Sequence, residues 1–227
     1  MKKTFKGVIF DFNGTLFFDN DKHILAWGEV SKLLRGRGIT EKELLEHFNG
    51  VPNQKIVKYL LGREGSREEL TGYSELKEKF YRKFCLEDKK TFHLVAGAEE
   101  YFKYLREKDI PFTIASASIK VNIDFFVKEF GLEKWISPDM IVYDDGSYEN
   151  KVAMFLEAAK RLNRNINECM IVEDSISGIQ SGYEAGCRNI VVIDSSNKAE
   201  EYKTMPGVTE VIQDFQECYQ VGGEVRE

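Results

Sequence analysis

Val8-Ile9-Phe10-Asp11-Phe12-Asn13-Gly14-Thr15-Leu16 is the stretch on which the fold turns. An apolar run meets an acid, and a Gly-Thr pair follows shortly after. A short segment that is apolar throughout suits a parallel strand buried on both faces. An acid at its carboxyl end, before a tight turn with exposed N–H groups, can bind a phosphate and attack it; it can equally cap the turn. Working outward, residues 7–11, 112–116 and 169–174 share this texture, as do 140–143 and 189–193. Helical patterns separate them. Residues 98–108 are periodic; 119–130 follow Ser118, an N-cap candidate, and stop at Gly131; 151–162 follow Asn150; 177–185 stop before Gly186. This alternation predicts an α/β fold, a doubly wound parallel sheet with ligands at the carboxyl ends of its strands.

The stretch 17–91 has a different texture. It is helical throughout, over 23–35, 41–48, 53–62 and 74–88, with no strand pattern. Thr40 with Glu43, and Ser66 with Glu69, fit capping boxes, and Pro52 suits a helix start. The domain expectation is therefore a core of 1–16 and 92–227 with an all-helical insert of 17–91. The tail after Val221 is expected to fray.

With 227 residues, 42% of them hydrophobic, the chain can bury a sizeable core. Its net charge of −6 argues against a general nucleic-acid partner. The charge is uneven: 17–91 hold 15 bases and 13 acids, the rest 17 and 25. A mildly basic insert over an acidic core suits an anionic ligand bound through a metal. No apolar run reaches the roughly 18–20 residues of a membrane span. The opening Met1-Lys2-Lys3-Thr4-Phe5-Lys6-Gly7 lacks the apolar stretch of a signal peptide, so a cytoplasmic protein is expected. Four cysteines (85, 169, 187, 218) form no CxxC pair and read as reduced thiols.

The chemistry-bearing residues gather at predicted strand ends. Cys169-Met170-Ile171-Val172-Glu173-Asp174-Ser175 places two acids at one of them. With Asp11 they make three carboxylates, which raise one another's pKa unless a hard divalent ion neutralises them. Mg²⁺ fits that requirement. Asp174 or Ser175 taken singly would serve as a helix cap. Ser116, at another strand end, can donate to a phosphoryl oxygen or cap a turn. Lys151 lies at a helix start, the wrong end for a cation, which points to a compensating anion or acid cluster, unless it is solvent-exposed. Gly178, Gly182 and Gly186 leave one helix face small enough to approach a sheet closely.

In this order, Asp11-x-Asn13-Gly14-Thr15, Ser116, Lys151 and Glu173-Asp174-Ser-x-x-Gly178 resemble the four motifs of the haloacid dehalogenase superfamily. The insert, with Lys22-His23-Ile24-Leu25-Ala26-Trp27 at its start, resembles the cap of the phosphatase and β-phosphoglucomutase-like branch. The string Val172-Glu173-Asp174-Ser175-Ile176-Ser177-Gly178-Ile179-Gln180, closing with Ala185-Gly186, is its most specific part. The resemblance spans about residues 6–194. It implies a Rossmann-like core with a mobile helical cap, and a Mg²⁺-dependent phosphate-ester hydrolase working through an aspartyl-phosphate. Asp11 would be the nucleophile. Asp11, the Asn13 backbone carbonyl, Asp174 and Glu173 would hold Mg²⁺. Ser116, Lys151 and backbone groups around Gly14, Thr15 and Ala117 would bind the phosphoryl oxygens. His23 and Trp27 would line the substrate side of the cap, or merely pack and face solvent. The implied partner is a small phosphorylated metabolite, with no nucleic acid and no membrane, and the implied state a monomer.

The main departure from the pattern is Asn13. Phosphatases and mutases of this superfamily have an Asp there as general acid and base, and an amide cannot take its place. Such catalysis is typically worth ~10²–10⁴-fold. Three accounts follow: a slow or specialised phosphatase, a catalytically silent binder of phosphorylated ligands, or a variant of an Asp. Asn13-Gly14 is also prone to deamidation. A second departure weakens the mutase alternative, because Gly50-Val51-Pro52-Asn53 has no base for a second phosphate and Ile119-Lys120 replaces Lys-Asn. Val152 for the usual Pro is minor.

Overall fold

The structure, a computed structural model, describes residues 4–48 and 50–218, so the expectations for the first three residues and for the tail after Val221 lie outside it. The apolar run becomes β1 (Gly7–Phe10). Four helices follow: α1 (Asn20–Arg35), α2 (Glu41–His47), α3 (Asn53–Leu61) and α4 (Arg67–Glu87). Then come α5 (Ala98–Glu107), β2 (Phe112–Ile119), α6 (Lys120–Glu129), β3 (Val142–Asp144) and α7 (Lys151–Arg161). The chain continues through β4 (Cys169–Glu173), α8 (Ile176–Glu184), β5 (Ile190–Ile193), α9 (Ala199–Lys203) and β6 (Val208–Ile212).

The six strands form one parallel sheet in the order β3-β2-β1-β4-β5-β6, the expected doubly wound topology. β1 lies at the centre, with Phe10 paired to Ile114 on one side and to Val172 on the other. It is the point where the strand order reverses, where open α/β sheets place their ligands. Alternate residues of β1 serve opposite faces. Ile9 belongs to an aliphatic core with Ala115, Ile171, Phe155 of α7 and Ile179 of α8. Phe10 meets Tyr101 and Phe102 of α5, Phe112 and Phe215 in edge-on aromatic contacts with centroids 5.4–6.2 Å apart. Both β1 residues are fully buried, which is why this run carries no polar side chain before Asp11.

Two compact units emerge: residues up to Phe18 with those from His93 onward, and Asp19–Phe92. The second unit is α1–α4 around Trp27, Val30, Phe48, Ile56, Val57, Leu60 and Leu70. Both capping boxes form, at Thr40–Glu43 and Ser66–Glu69. Buried Lys22 pairs with Asp21 and Asp88 at 2.6 Å each and donates to Thr91 at 2.9 Å, joining the two ends of the insert.

Several local expectations need correction. The last insert helix starts at Arg67 and not at 74, because the Ser66 box nucleates it and Gly72 is tolerated within it. Residues 138–140 form a 3₁₀ turn, and β3 begins at Val142. Ser118 is not an N-cap: β2 runs on to Ile119, which takes the cap position with no side-chain bond. α9 and β6 were not anticipated; β6 is a partly exposed edge strand with a weak apolar signal. The four cysteines are free and buried. Among the described residues, no helix is long and apolar enough to cross a membrane.

Candidate active site

The carboxyl ends of β1, β2 and β4 bring the chemistry together. After Phe10 the chain leaves the sheet, but the Asp11 N–H still donates to Val172 O at 2.9 Å, which keeps the acid level with the end of β4. Phe12 anchors the loop by stacking on Phe126 at 4.3 Å. Its carbonyl accepts from the N–H groups of Thr15, Leu16 and Phe17. Gly14 takes φ +80°, and a Cβ there would lie 2.2 Å from Asp174 Oδ2. A side chain at Gly14 is thus excluded both by conformation and by the approach of the second acid.

Lys151 opens α7, and Asn150 caps that helix by accepting from the Ala153 N–H at 3.1 Å. Its ammonium donates to Asp11 Oδ1 at 2.8 Å and to Glu173 Oε1. This is the acid cluster that a cation at a helix N-terminus calls for. The other Glu173 oxygen accepts from the N–H groups of Asp174 and Ser175 at 2.8 Å each and from Ser175 Oγ at 3.0 Å. Ser175 in turn caps α8 through the Gly178 N–H. Glu173 is therefore fully engaged, holding Lys151 on one side and the β4–α8 turn on the other.

Thr15 Oγ1 lies 3.5 Å from Asp11 Oδ2 and 3.4 Å from Asp174 Oδ1, bridging the two acids. Asp11, Glu173 and Asp174 each offer an oxygen, all within 4.8 Å of one another. Burial pushes the Asp11 carboxyl up to about 6; Lys151 opposes the rise and Glu173 adds to it. Burial also works against ionised Glu173, but Lys151 and the Ser175 donors outweigh it and hold that group below its usual range. Burial would lower Lys151, yet the two carboxylates around it raise it.

Ser116, buried at 1% exposure, and Ser118 both reach Asn13. Their hydroxyls donate to Asn13 Oδ1 at 3.4 and 2.6 Å, and the Ser118 N–H donates to Ser116 Oγ at 3.2 Å. Ser118 is a site residue that sequence reasoning missed. The signal was its i, i+2 spacing from Ser116, which puts both on one side once β2 is extended. Tyr202 was also missed; its hydroxyl donates to Asp174 O at 3.0 Å from the unanticipated α9. Ala117 is exposed at the β2 end. His23 and Trp27 belong to the helical unit. Trp27 is part of its apolar core. His23 stacks on Tyr81 at 4.2 Å, with Nδ1 2.7 Å from Lys77 Nζ and Nε2 3.2 Å from Asp19.

A parallel sheet ending in this arrangement defines a class of hydrolases, and the comparisons agree. The family model for haloacid dehalogenase-like hydrolases matches residues 8–192, and the chain belongs to that family. A solved HAD hydrolase of family IA, variant 3, from Entamoeba histolytica HM-1:IMSS is 34% identical, with a TM-score of 0.88 covering 93% of this chain and 94% of that one. The β-phosphoglucomutase of Clostridium difficile shares the fold at 22% identity, with a TM-score of 0.75 covering 94% and 93%. Hexitol phosphatase A of Escherichia coli (strain K12) is 27% identical over 191 residues, 82% of each chain. The chain spans only 31% and 18% of two longer plant relatives from Arabidopsis thaliana.

Proposed function

We propose that this chain is a phosphate-ester hydrolase that transfers the phosphoryl group of a small phosphorylated metabolite to Asp11 and then to water. The observation that carries this reading is the buried Asp11–Lys151–Glu173 triad with Asp174 beside it, at the strand-order reversal of the sheet. The name of the 82%-covered relative, hexitol phosphatase A, supports it.

The donor set fits a hard divalent cation. It is all oxygen, largely buried, and carries more negative charge than Lys151 offsets. Asp11 and Asp174, with the Asn13 backbone carbonyl, would hold Mg²⁺, and Glu173 acts behind them. When bound, the cation supplies charge neutralisation for the phosphoryl oxygens. The rest falls to the chain's own groups. Asp11 is held in place by its N–H bond to Val172 and by Lys151, so it attacks without reorienting. Lys151 and Ser116, with the backbone around Gly14, Thr15 and Ala117, bind the oxygens as charge shifts during transfer. In this reading the helical unit is the cap that sets substrate choice. Asn53, where a mutase would hold a second phosphate, donates instead to Glu78 at 2.7 Å, so hydrolysis is favoured over phosphate migration along a sugar.

The test is Mg²⁺-dependent phosphate release from a panel of hexitol, sugar and nucleotide phosphates together with acyl and aryl phosphates. We expect release that disappears in Asp11→Asn and on chelation. Activity untouched in Asp11→Asn overturns the nucleophile. A product with its phosphate relocated and not released favours the mutase. Binding of phosphorylated ligands without any turnover favours a silent sensor.

A further inference from the structure

We propose that the site is suited to phosphates whose leaving group departs without being protonated, namely acyl, enol and aryl phosphates or phosphoanhydrides, in preference to esters of ordinary alcohols. The inference rests on the hydrolase reading and names its substrate class.

It begins with Asn13. The amide oxygen accepts from the Ser118 and Ser116 hydroxyls, and the only hydrogens an Asn side chain can present to a ligand are amide N–H. An amide N–H can hydrogen-bond a developing oxyanion but has no proton to give up. The neighbouring groups in the same unit have other tasks. Asp11 is the nucleophile. Glu173 uses both oxygens on Lys151 and the β4–α8 turn. Lys151 is bound between two carboxylates. Asp174 lies beside Asp11, bridged to it by Thr15. The one histidine of this unit, His93, is exposed and paired with Leu94 O. His23 belongs to the helical unit, where it is engaged by Lys77, Asp19 and Tyr81.

The consequence follows from leaving-group acidity. As the Asp11 oxygen forms its bond to phosphorus, the bond from phosphorus to the leaving oxygen breaks. The electron pair goes to that oxygen, which leaves as an anion and takes its proton from solvent. A carboxylate, with a parent acid near pKa 4, or a phenolate, near 10, tolerates this. An alkoxide does not, since alcohols are about as weakly acidic as water, at about 15.7. Water then attacks the phosphoryl group, Asp11 leaves as carboxylate, and the water proton passes to the phosphate formed. Asn13 cannot accept that proton, so the second step is slow and the aspartyl-phosphate accumulates.

Rapid-quench single-turnover rates test this. The substrates are acetyl phosphate, aryl phosphates of graded leaving-group acidity and alkyl phosphates, all with Mg²⁺. The proteins are the natural chain, Asn13→Asp and Asp11→Asn. For the natural chain the rate should fall steeply with leaving-group pKa, and activated substrates should give a burst of about one leaving group per chain before slow turnover. The Asn13→Asp advantage should be near unity for acetyl phosphate and grow to ~10²–10⁴-fold for alkyl phosphates. The slope in the natural chain needs no variant, so the inference stays testable if Asn13→Asp folds poorly. A shallow slope with Asp11-dependent release overturns this inference and leaves the hydrolase reading standing. A shallow slope that steepens in His23→Ala also overturns it, naming His23 as the acid. Release that persists in Asp11→Asn, or no release from any substrate, overturns the hydrolase reading as well.

Discussion

As the proposed nucleophile, Asp11 is subject to opposing demands, because a nucleophile must be ionised and its surroundings resist ionisation. Its carboxyl is pushed from 3.8 to about 6 by burial. An acid that holds its proton more tightly when folded stabilises the fold below its unfolded pKa, and that contribution is lost as pH rises through the folded value. The shift corresponds to about 3 kcal/mol lost between roughly pH 4 and pH 6 in the metal-free protein. Thermal melts without Mg²⁺ should therefore show Asp11→Asn gaining in Tm over the natural chain as pH rises across that window. Added Mg²⁺ should raise Tm more at pH 7 than at pH 5. A second residue-scale prediction concerns deamidation. The attacking atom would be the Gly14 nitrogen, but its N–H is held by Phe17 O at 2.8 Å, and the Asn13 carbonyl is tied to two serines. Peptide mapping after prolonged incubation should find Asn13 intact in folded protein and deamidated in urea-unfolded protein.

At the scale of elements, α8 depends on its small residues. A Cβ at Gly178 would lie 1.8 Å from Glu173 Oε1, and one at Gly182 would meet Ile171 at 3.1 Å and Ile190 at 3.3 Å. Gly178→Ala must push Glu173 off Lys151. We expect a loss of about 1–3 kcal/mol in urea denaturation, as for overpacked cores, together with a fall in kcat because Lys151 loses a partner. Gly182→Ala should cost stability with less effect on turnover. In the helical unit, Ser66→Ala removes the cap of α4 and should cost about 1 kcal/mol. These elements were legible where local chemistry is decisive: the apolar strands, both capping boxes and the Asn150 cap. They were misread where tertiary contacts decide. Ser118 has the composition of a cap, but the pairing of β2 with β3 draws the strand past it. β6 is stabilised by pairing with β5 and has little pattern of its own.

At the scale of the whole molecule, acid should loosen the carboxylates that arginine and lysine side chains hold ionised. Glu43 is the hub of the helical unit, accepting from Arg35 at 2.6 Å, Arg37, Tyr59 at 2.9 Å and the Thr40 N–H at 2.9 Å. The Arg37 guanidinium, with the Thr40 and Arg35 donors, holds its carboxyl far below the usual range. Asp88 is likewise lowered to about 2 by Lys22. Acids with lowered folded pKa values stabilise above the unfolded value, and that stability is lost as pH falls below it. Residues 19–92 should thus lose stability below about pH 4.5, and so should the core, where Glu173 is also held low, once the opposing gain from Asp11 is complete. Hydrogen exchange at graded pH should show protection in 19–92 falling below that pH, with a smaller acid effect in Glu43→Gln.

The sequence by itself determined the fold class, the strand-ending acids and the identity of the nucleophile candidate. Buried parallel strands have to be apolar, and an acid that ends one has to be there for a reason. It also exposed the Asn13 departure, since replacing a carboxyl by an amide is visible without coordinates. Only the tertiary structure decided what these groups do to one another. Lys151 and Asp11 are 140 residues apart and meet because β1 lies beside β4 and α7 packs behind them. The same closeness commits Glu173 to Lys151 and the β4–α8 turn, and turns Asn13 toward two serines of β2. Distances across a sheet set charge, orientation and proton inventory, and chain order alone does not encode them.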